Sequence, residues 1–241
     1  MATFEFDSTP QGEPRCLIVI TDSIEAEALD APIGVARFHT SQPWKQRAAC
    51  WCGQEHAASW GADMTVFVGP VDSNLNAAEG SFAIWIVPAG SDIENVTGSV
   101  IVASDSQNFG RWARSVLVSM LSMIWVPGLI CLDFADVTSI LGGRQRIEYH
   151  VRLVETDLKS AAKAMVVSPT FATGENYLVS IRGSTAMTLL EVADACHVIG
   201  DVLGPNVNVV MGASIDESAT QDEIAIFSGI EREPQTGAMT P

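Results

Sequence analysis

An α/β fold is expected for this chain of 241 residues, with two unlike halves joined through a central helix. Three features lead there. In the first half, short and nearly unbroken apolar runs recur between Gly, Pro and Asp: RCLIVITD (15–22), ADMTVFVGPV (62–71), SFAIWIVPAG (81–90) and GSVIVAS (98–104). Such runs are strands covered on both faces, as in a parallel sheet. Between 107 and 126, Phe109, Trp112, Ala113, Val116, Met120 and Ile124 recur at spacings of three and four, and the other faces are apolar too. A helix of that kind belongs in the interior, packed against both halves. In the second half, alternating strand patterns are interleaved with capped amphipathic helices, as in an α+β arrangement.

The elements follow in order. A first strand is predicted over 15–22, and PIGVARFHT (32–40) reads as another. The Ala-rich stretch 44–60, broken only by Gly53, is expected to be helical. Strands at 62–71, 81–90 and 98–104 precede the central helix, which should stop at Val126, because Pro127-Gly128 breaks it. The uncharged run 115–132 approaches the length of a bilayer crossing. Pro127-Gly128 interrupts it, and Ser119 and Ser122 dilute it, so it reads as a buried core helix. Beyond it, 133–141 is a short helix stopped by Gly142-Gly143. RIEYHVRLV (146–154) is a strand, TDLKSAAKAMVVSP (156–169) a helix halted before Pro169, and NYLVSIRG (176–183) a strand. Thr188 and Glu191 have the spacing of a capping box. Leu189, Val192, Cys196, Ile199 and Leu203 continue that helix to Gly204-Pro205. VNVVMGASID (207–216) and EIAIFSGI (223–230) are two closing strands, and the tail EREPQTGAMTP has no structural signal. No internal repeat or low-complexity segment occurs.

Composition narrows the function. Hydrophobic residues make up 47% and charged residues 17%, as in a compact protein. The 29 acids against 13 bases give a net charge of −16, which makes nucleic acid and anionic membrane poor partners. The five cysteines (Cys16, Cys50, Cys52, Cys131, Cys196) are odd in number and form no C-x-x-C, so no disulfide framework or zinc ribbon is expected. The start, MATFEFDSTPQGEPR, lacks the basic and apolar regions of a secretory signal. Together these features imply a reducing cytoplasm.

Candidate chemistry is sparse. Cys50, Cys52 and His56 lie within seven residues, but no further cluster supplies a fourth ligand, so no metal is expected. His39, His150 and His197 read as partly buried rings. The six tryptophans lie mostly in predicted core elements, although Trp44, Trp51 and Trp60 could instead form an exposed patch. No G-x-G-x-x-G, P-loop or G-x-S-x-G occurs. Asp133 and Asp136 stand out beside the apolar run. Asp133 can cap the following helix, with Asp136 at its third position, where free amides favour a carboxylate.

Several segments resemble the FtsZ branch of the tubulin superfamily. GLICLDFADVTSIL is similar to the family's synergy loop and the helix after it. KSAAKAMVVSP, YLVSIRG, TLLEVADACHVIGDVLGPNVNVVMGASIDE and EIAIFSGI follow in the family's order, from about 126 to 230. In the first half, WGADMTVFVGPV resembles the strand that leads into the family's glycine-rich nucleotide loop, but DSNLNAAEG stands where that loop would be. LIVITDSIEAEA likewise stands where a first phosphate loop would begin. Asp22, Glu25, Glu27 and Asp72 occupy this neighbourhood, and a phosphate cradle is served by glycine and by the absence of carboxylates.

The resemblance thus implies a trimmed, Rossmann-like domain over 1–105, a central helix over 106–126, an FtsZ-type α+β domain over 127–232 and a flexible tail over 233–241. It implies no bound cofactor and a pseudo-GTPase that regulates or caps filaments. Its contact face would be the synergy loop, with Cys131, Asp133, Phe134 and Asp136, and its partner FtsZ, another FtsZ-like subunit or itself. Cys131 stands where the family usually has asparagine. The other readings are a nucleotide-independent self-assembling scaffold and, third, a divergent GTPase.

Overall fold

The computed structural model describes residues 16–20, 48–52, 63–72, 75, 77, 81–104, 108–126, 128–143, 145–171, 174–217 and 219–231. The strand expected over 32–40 and the tail from 232 onward lie outside them. The first described strands are β1 (Cys16–Ile20), β2 (Ala48–Cys52), β3 (Met64–Val68), β4 (Phe82–Val87) and β5 (Ser99–Val102). All five run parallel, in the order β2-β1-β3-β4-β5. The residues of β3 are buried throughout, as a run without alternation requires when both faces are covered. One expectation fails here: 48–52 is a strand paired with β1 from Cys16↔Ala48 to Ile20↔Cys52, not part of a helix. AACWC carries Trp, which fits a strand, but the Ala content of the wider window pointed to a helix, and pairing with β1 overrides that local preference.

The central helix α1 (Phe109–Trp125) ends one residue before the expected Val126. Strand β6 (Gly128–Ile130) follows, then α2 (Phe134–Leu141), β7 (Gln145–Leu153), α3 (Leu158–Val166), β8 (Asn176–Gly183), α4 (Leu189–Leu203), β9 (Asn208–Ile215) and β10 (Glu223–Glu231). No signal in the sequence marked β6, since three residues after Pro127 are too few for a pattern. These strands extend the first sheet rather than forming a second one. The full order is β2-β1-β3-β4-β5-β7-β10-β8-β9-β6. The halves join where β5 pairs parallel with β7, at Val100↔Arg146 and Ile101↔Ile147. Beyond that junction β10 runs antiparallel to β7 and β8, β8 and β9 are parallel, and β6 closes the edge antiparallel to β9.

Three apolar layers hold the sheet. One side of the whole sheet packs on α1 and α2. Cys16, Met64 and Ile84 from the first half share that core with Leu178 and Phe227 from the second. The helix thus packs on both halves, as its all-round apolarity predicted. On the opposite side, α3 and α4 cover the second half through Ala162, Met165, Val192 and Ile199 over Tyr177, Val179 and Ile226. On the same side of the first half, the described residues form a third cluster contributed by β3, β4, β5 and the loops between them. There Phe67 stacks on Trp85 at 4.1 Å, and Leu75 and Val96 close over them. Trp85 Nε1 donates to the Thr97 carbonyl at 3.1 Å, the partner a buried indole needs. Among the described residues no helix is long and apolar enough to cross a membrane.

Candidate functional site

The acid-bearing loop is fixed from both ends. On its upstream side β6 lies close to β9, where Gly128 faces the Ala213 carbonyl. A Cβ at position 128 would collide with that carbonyl, so only glycine permits the approach. Downstream, the chain turns into α2 with Asp133 as N-cap, in extended conformation. Asp136 N donates to Asp133 Oδ1 at 2.7 Å, and Asp133 N donates to Asp136 Oδ2 at 3.1 Å. This reciprocal pair is a capping box with Asp in the place usually taken by Glu. The C-terminal end of α2 is tied to the other half of the sheet. Buried Ser99 Oγ on β5 donates to the Leu141 carbonyl at 2.6 Å, and the Gly143 carbonyl lies at 3.1 Å.

The predicted contact residues are placed unequally. Asp133 is exposed, Asp136 is half-buried, and Cys131 is exposed, with its thiol 3.8 Å from the Gly128 carbonyl. Phe134 packs partly against the main core, so it anchors the loop as well as bordering its surface. One oxygen of each acid is used in the cap. Asp133 Oδ2 and Asp136 Oδ1 remain available on an otherwise rigid turn. The arrangement can present negative charge and accept hydrogen bonds from a neighbouring molecule.

Between α1 and the C-terminal strands lies a polar network that the sequence reading missed. Arg182 Nη1 meets Asp216 Oδ2 at 3.0 Å, and Arg182 Nη2 meets Glu223 Oε2 at 3.4 Å. Both acids are buried. Ser119 Oγ on α1 donates to Glu223 Oε1 at 3.3 Å, and the Tyr149 hydroxyl sits 2.9 Å from Ser119 Oγ and 2.8 Å from Ser115 Oγ. Burial pushes the Tyr149 phenol well above its ordinary value, against the opposing influence of the two serine hydrogen bonds. Of the serines that dilute the apolar helix, Ser122 bonds back to the Ser119 carbonyl within the helix, whereas Ser119 and its neighbour Ser115 are polar contacts to the C-terminal sheet. The available signal was their spacing of four on one face, together with charged residues inside the strands 176–183 and 223–231.

The opposite end of the first half is where the phosphate loops would lie. Strand order reverses between β1 and β3, and in open α/β sheets ligands bind outside the strand carboxyl ends at such a point. After β3, Gly69 (φ 128°) donates to the Ile86 carbonyl at 2.9 Å, and Leu75 N donates to the Asp72 carbonyl at 3.0 Å. Asp22, Glu25 and Glu27 lie outside the described residues, as do His39, His56, Trp44 and Trp60. Of the other histidines, His150 is half-buried against Phe171, at 5.0 Å between rings. His197 is an exposed residue beside Asp201, contrary to the expected partial burial, because it lies on the solvent side of α4. Among the described residues no group of three or more His, Cys, Asp or Glu side chains could hold a metal ion.

Comparison with known proteins bears on the second half most directly. A model of the FtsZ family C-terminal domain matches residues 155–230. The cell division protein FtsZ of Caulobacter vibrioides is 32% identical over 107 residues, covering 42% of this chain and 21% of that protein. FtsZ of Magnetospirillum gryphiswaldense is 31% identical over 130 residues, covering 48% of this chain and 23% of its own length. The match thus spans less than a quarter of each of these relatives. In three dimensions the chain is similar to FtsZ of M. jannaschii in an empty dimer, with a TM-score of 0.60 at 16% identity. That similarity covers 91% of this chain and 89% of the other, so the fold extends well beyond the region of sequence match. Residues 155–230 thus carry a C-terminal domain of the FtsZ family, within a fold that is FtsZ-like over most of the chain.

Proposed function

We propose that this chain is a non-catalytic FtsZ-like protein that binds the nucleotide-bearing end of an FtsZ-type subunit through Cys131, Asp133, Phe134 and Asp136, and so limits filament growth. The observation that carries this reading is an asymmetry. One end of the molecule holds two acids in a fixed, accessible geometry. At the other, DSNLNAAEG replaces the glycine-rich loop whose amides would cradle phosphate. A subunit with that asymmetry can dock on the subunit below it and offers no nucleotide to the one above. In phosphoryl transfer, catalysis is positioning and charge stabilisation around the terminal phosphate, so acids arriving from a neighbour matter only if they are correctly aimed. Cys131 lacks the amide that an asparagine would contribute there. Pairing between subunits has a precedent in the M. jannaschii FtsZ dimer, and the curated relatives are cell division proteins.

The experiment mixes the purified chain with FtsZ and GTP and follows sedimented polymer. Polymer mass should fall as the chain is added, with a complex detectable by size. Asp133→Asn separates the two roles of that residue, since asparagine caps a helix as well as aspartate but carries no charge. It should keep the melting temperature and lose the effect on polymer. Unchanged polymer mass with no complex would remove the proposal. Concentration-dependent light scattering by the chain alone, with indifference to FtsZ, would favour the self-assembling scaffold. Tight binding and turnover of labelled GTP would instead make it an enzyme.

A further inference from the structure

A different face of the molecule presents a strand edge that has no partner strand among the described residues. β7 pairs along its whole length with β10 but meets β5 only at Arg146 and Ile147. Where β5 ends, Ala103 N turns away to the Val87 carbonyl at 2.9 Å. Residues 148–153 therefore have no strand on that edge among the described residues. An uncovered edge offers amides and carbonyls at the spacing of a further strand.

The side chains along this edge are sorted by face, as the period of a strand requires. Ile147 and Tyr149 point to the α1 side, and on that side Val151 and Leu153 are 42% and 52% exposed. On the α3 side, a hollow of about 310 Å³ opens between β7 and the end of α3. His150, Arg152, Met165, Ser168, Thr170 and Phe171 line it. His150 Nε2 has no hydrogen-bond partner there, with Glu148 Oε2 at 3.7 Å.

Charge selects the occupant. Residues 144–163 carry five of the chain's 13 bases (Arg144, Arg146, Arg152, Lys159, Lys163) against three acids (Glu148, Glu155, Asp157), a local balance of +2 in a chain of −16. Lys159 is paired with Asp194 at 3.6 Å. Arg146, Arg152 and Lys163 are exposed, and no ion pair among the described residues occupies them. Antiparallel pairing with a second copy in the register that sets Arg146 opposite Arg152 would oppose like charges, which is destabilising.

We propose that the 148–153 edge of β7 binds an extended acidic segment of another protein by strand addition. The segment alternates acidic residues, which meet Arg146 and Arg152, with apolar residues, which cover Val151 and Leu153. Nothing in this reading depends on the acid loop, and either proposal can fail without the other.

The test measures fluorescence anisotropy of two labelled peptides on the full chain, one alternating Val and Glu, the other alternating Val and Lys. The Glu peptide should bind at least about tenfold more tightly, with an advantage that shrinks as salt rises. Arg152→Glu, an exposed change that should leave the melting temperature unaltered, should reverse the preference. Deuterium exchange should slow within 148–153 when the Glu peptide is added. Equal binding of the two peptides, binding of neither, protection confined to other strands, or self-association of the chain through this edge would each overturn the proposal.

Discussion

The two halves of the sheet are built from similar apolar strands but are covered differently. In the second half, helices lie on both sides, with α1 and α2 opposite α3 and α4. In the first half, the helix among the described residues lies on the α1 side, and loop residues such as Leu75 and Val96 are those described on the other side. Helices are held by their own hydrogen bonds and resist collapse into a void, whereas a loop can settle into one. The same truncation should therefore cost more under helices than under loops.

Phe67 and Phe227 make that comparison with one kind of substitution, because both are fully buried. Phe227 lies in the α1-covered core and packs on Tyr149 at 5.0 Å between rings, and Phe67 lies under the loops against Trp85. Replacing a buried Phe by Ala costs about 3–5 kcal/mol, depending on how far the surroundings relax. Phe227→Ala should fall near the upper end and Phe67→Ala near the lower, read from urea midpoints. Equal losses would show that the loops cover their face as rigidly as helices do.

Arg182→Met tests the polar link between α1 and the C-terminal sheet. It removes the guanidinium between buried Asp216 and Glu223 while keeping much of the side-chain volume. Breaking such a pair from one side costs roughly 3 kcal/mol, since a carboxylate loses its counter-charge in a poorly solvated site. A change below about 0.5 kcal/mol, the range of ordinary surface substitutions, would mean that water replaces the arginine freely.

Ser99→Ala addresses the junction of the halves. Its hydroxyl satisfies the Leu141 carbonyl, and removing that donor should cost about 1–2 kcal/mol. The substitution should also loosen the far end of α2, visible as faster amide exchange over 134–141. Loss of stability without faster exchange in α2 would place the role of Ser99 in the first half alone.

What could be read in advance follows the same division. The second half announced itself through local chemistry: Thr188 and Glu191 form the expected capping box, and Asp133 and Asp136 form another. Caps are decided within four residues, so sequence carries them. The merging of two sheets into one was not visible, because Val100↔Arg146 joins residues far apart in the chain and no local pattern encodes that pairing. Neither was the buried role of Arg182, whose two carboxylates arrive from positions 216 and 223. The acid loop itself lay in plain view as a cap, while its attachment through Gly128 and Ser99 required the tertiary structure.

The smallest of these effects concerns His150 and pH. Burial holds its imidazole below the ordinary value of 6.5, and nearby Glu148 opposes that shift only in part. As pH falls below about 6.5 the unfolded chain takes up a proton on this residue while the folded chain does not. The unfolded state then binds more protons, so stability present above pH 6.5 is lost as pH falls toward the lowered value. One group can contribute a slope of at most about 1.4 kcal/mol per pH unit. His150→Gln removes the titrating ring, so its loss of stability between pH 7.5 and pH 5 should be smaller than that of the wild type. The difference between the two curves isolates the histidine from acids that titrate in both. Parallel curves would mean that His150 gains enough solvent, in the hollow between β7 and α3, to titrate as it does in the unfolded chain.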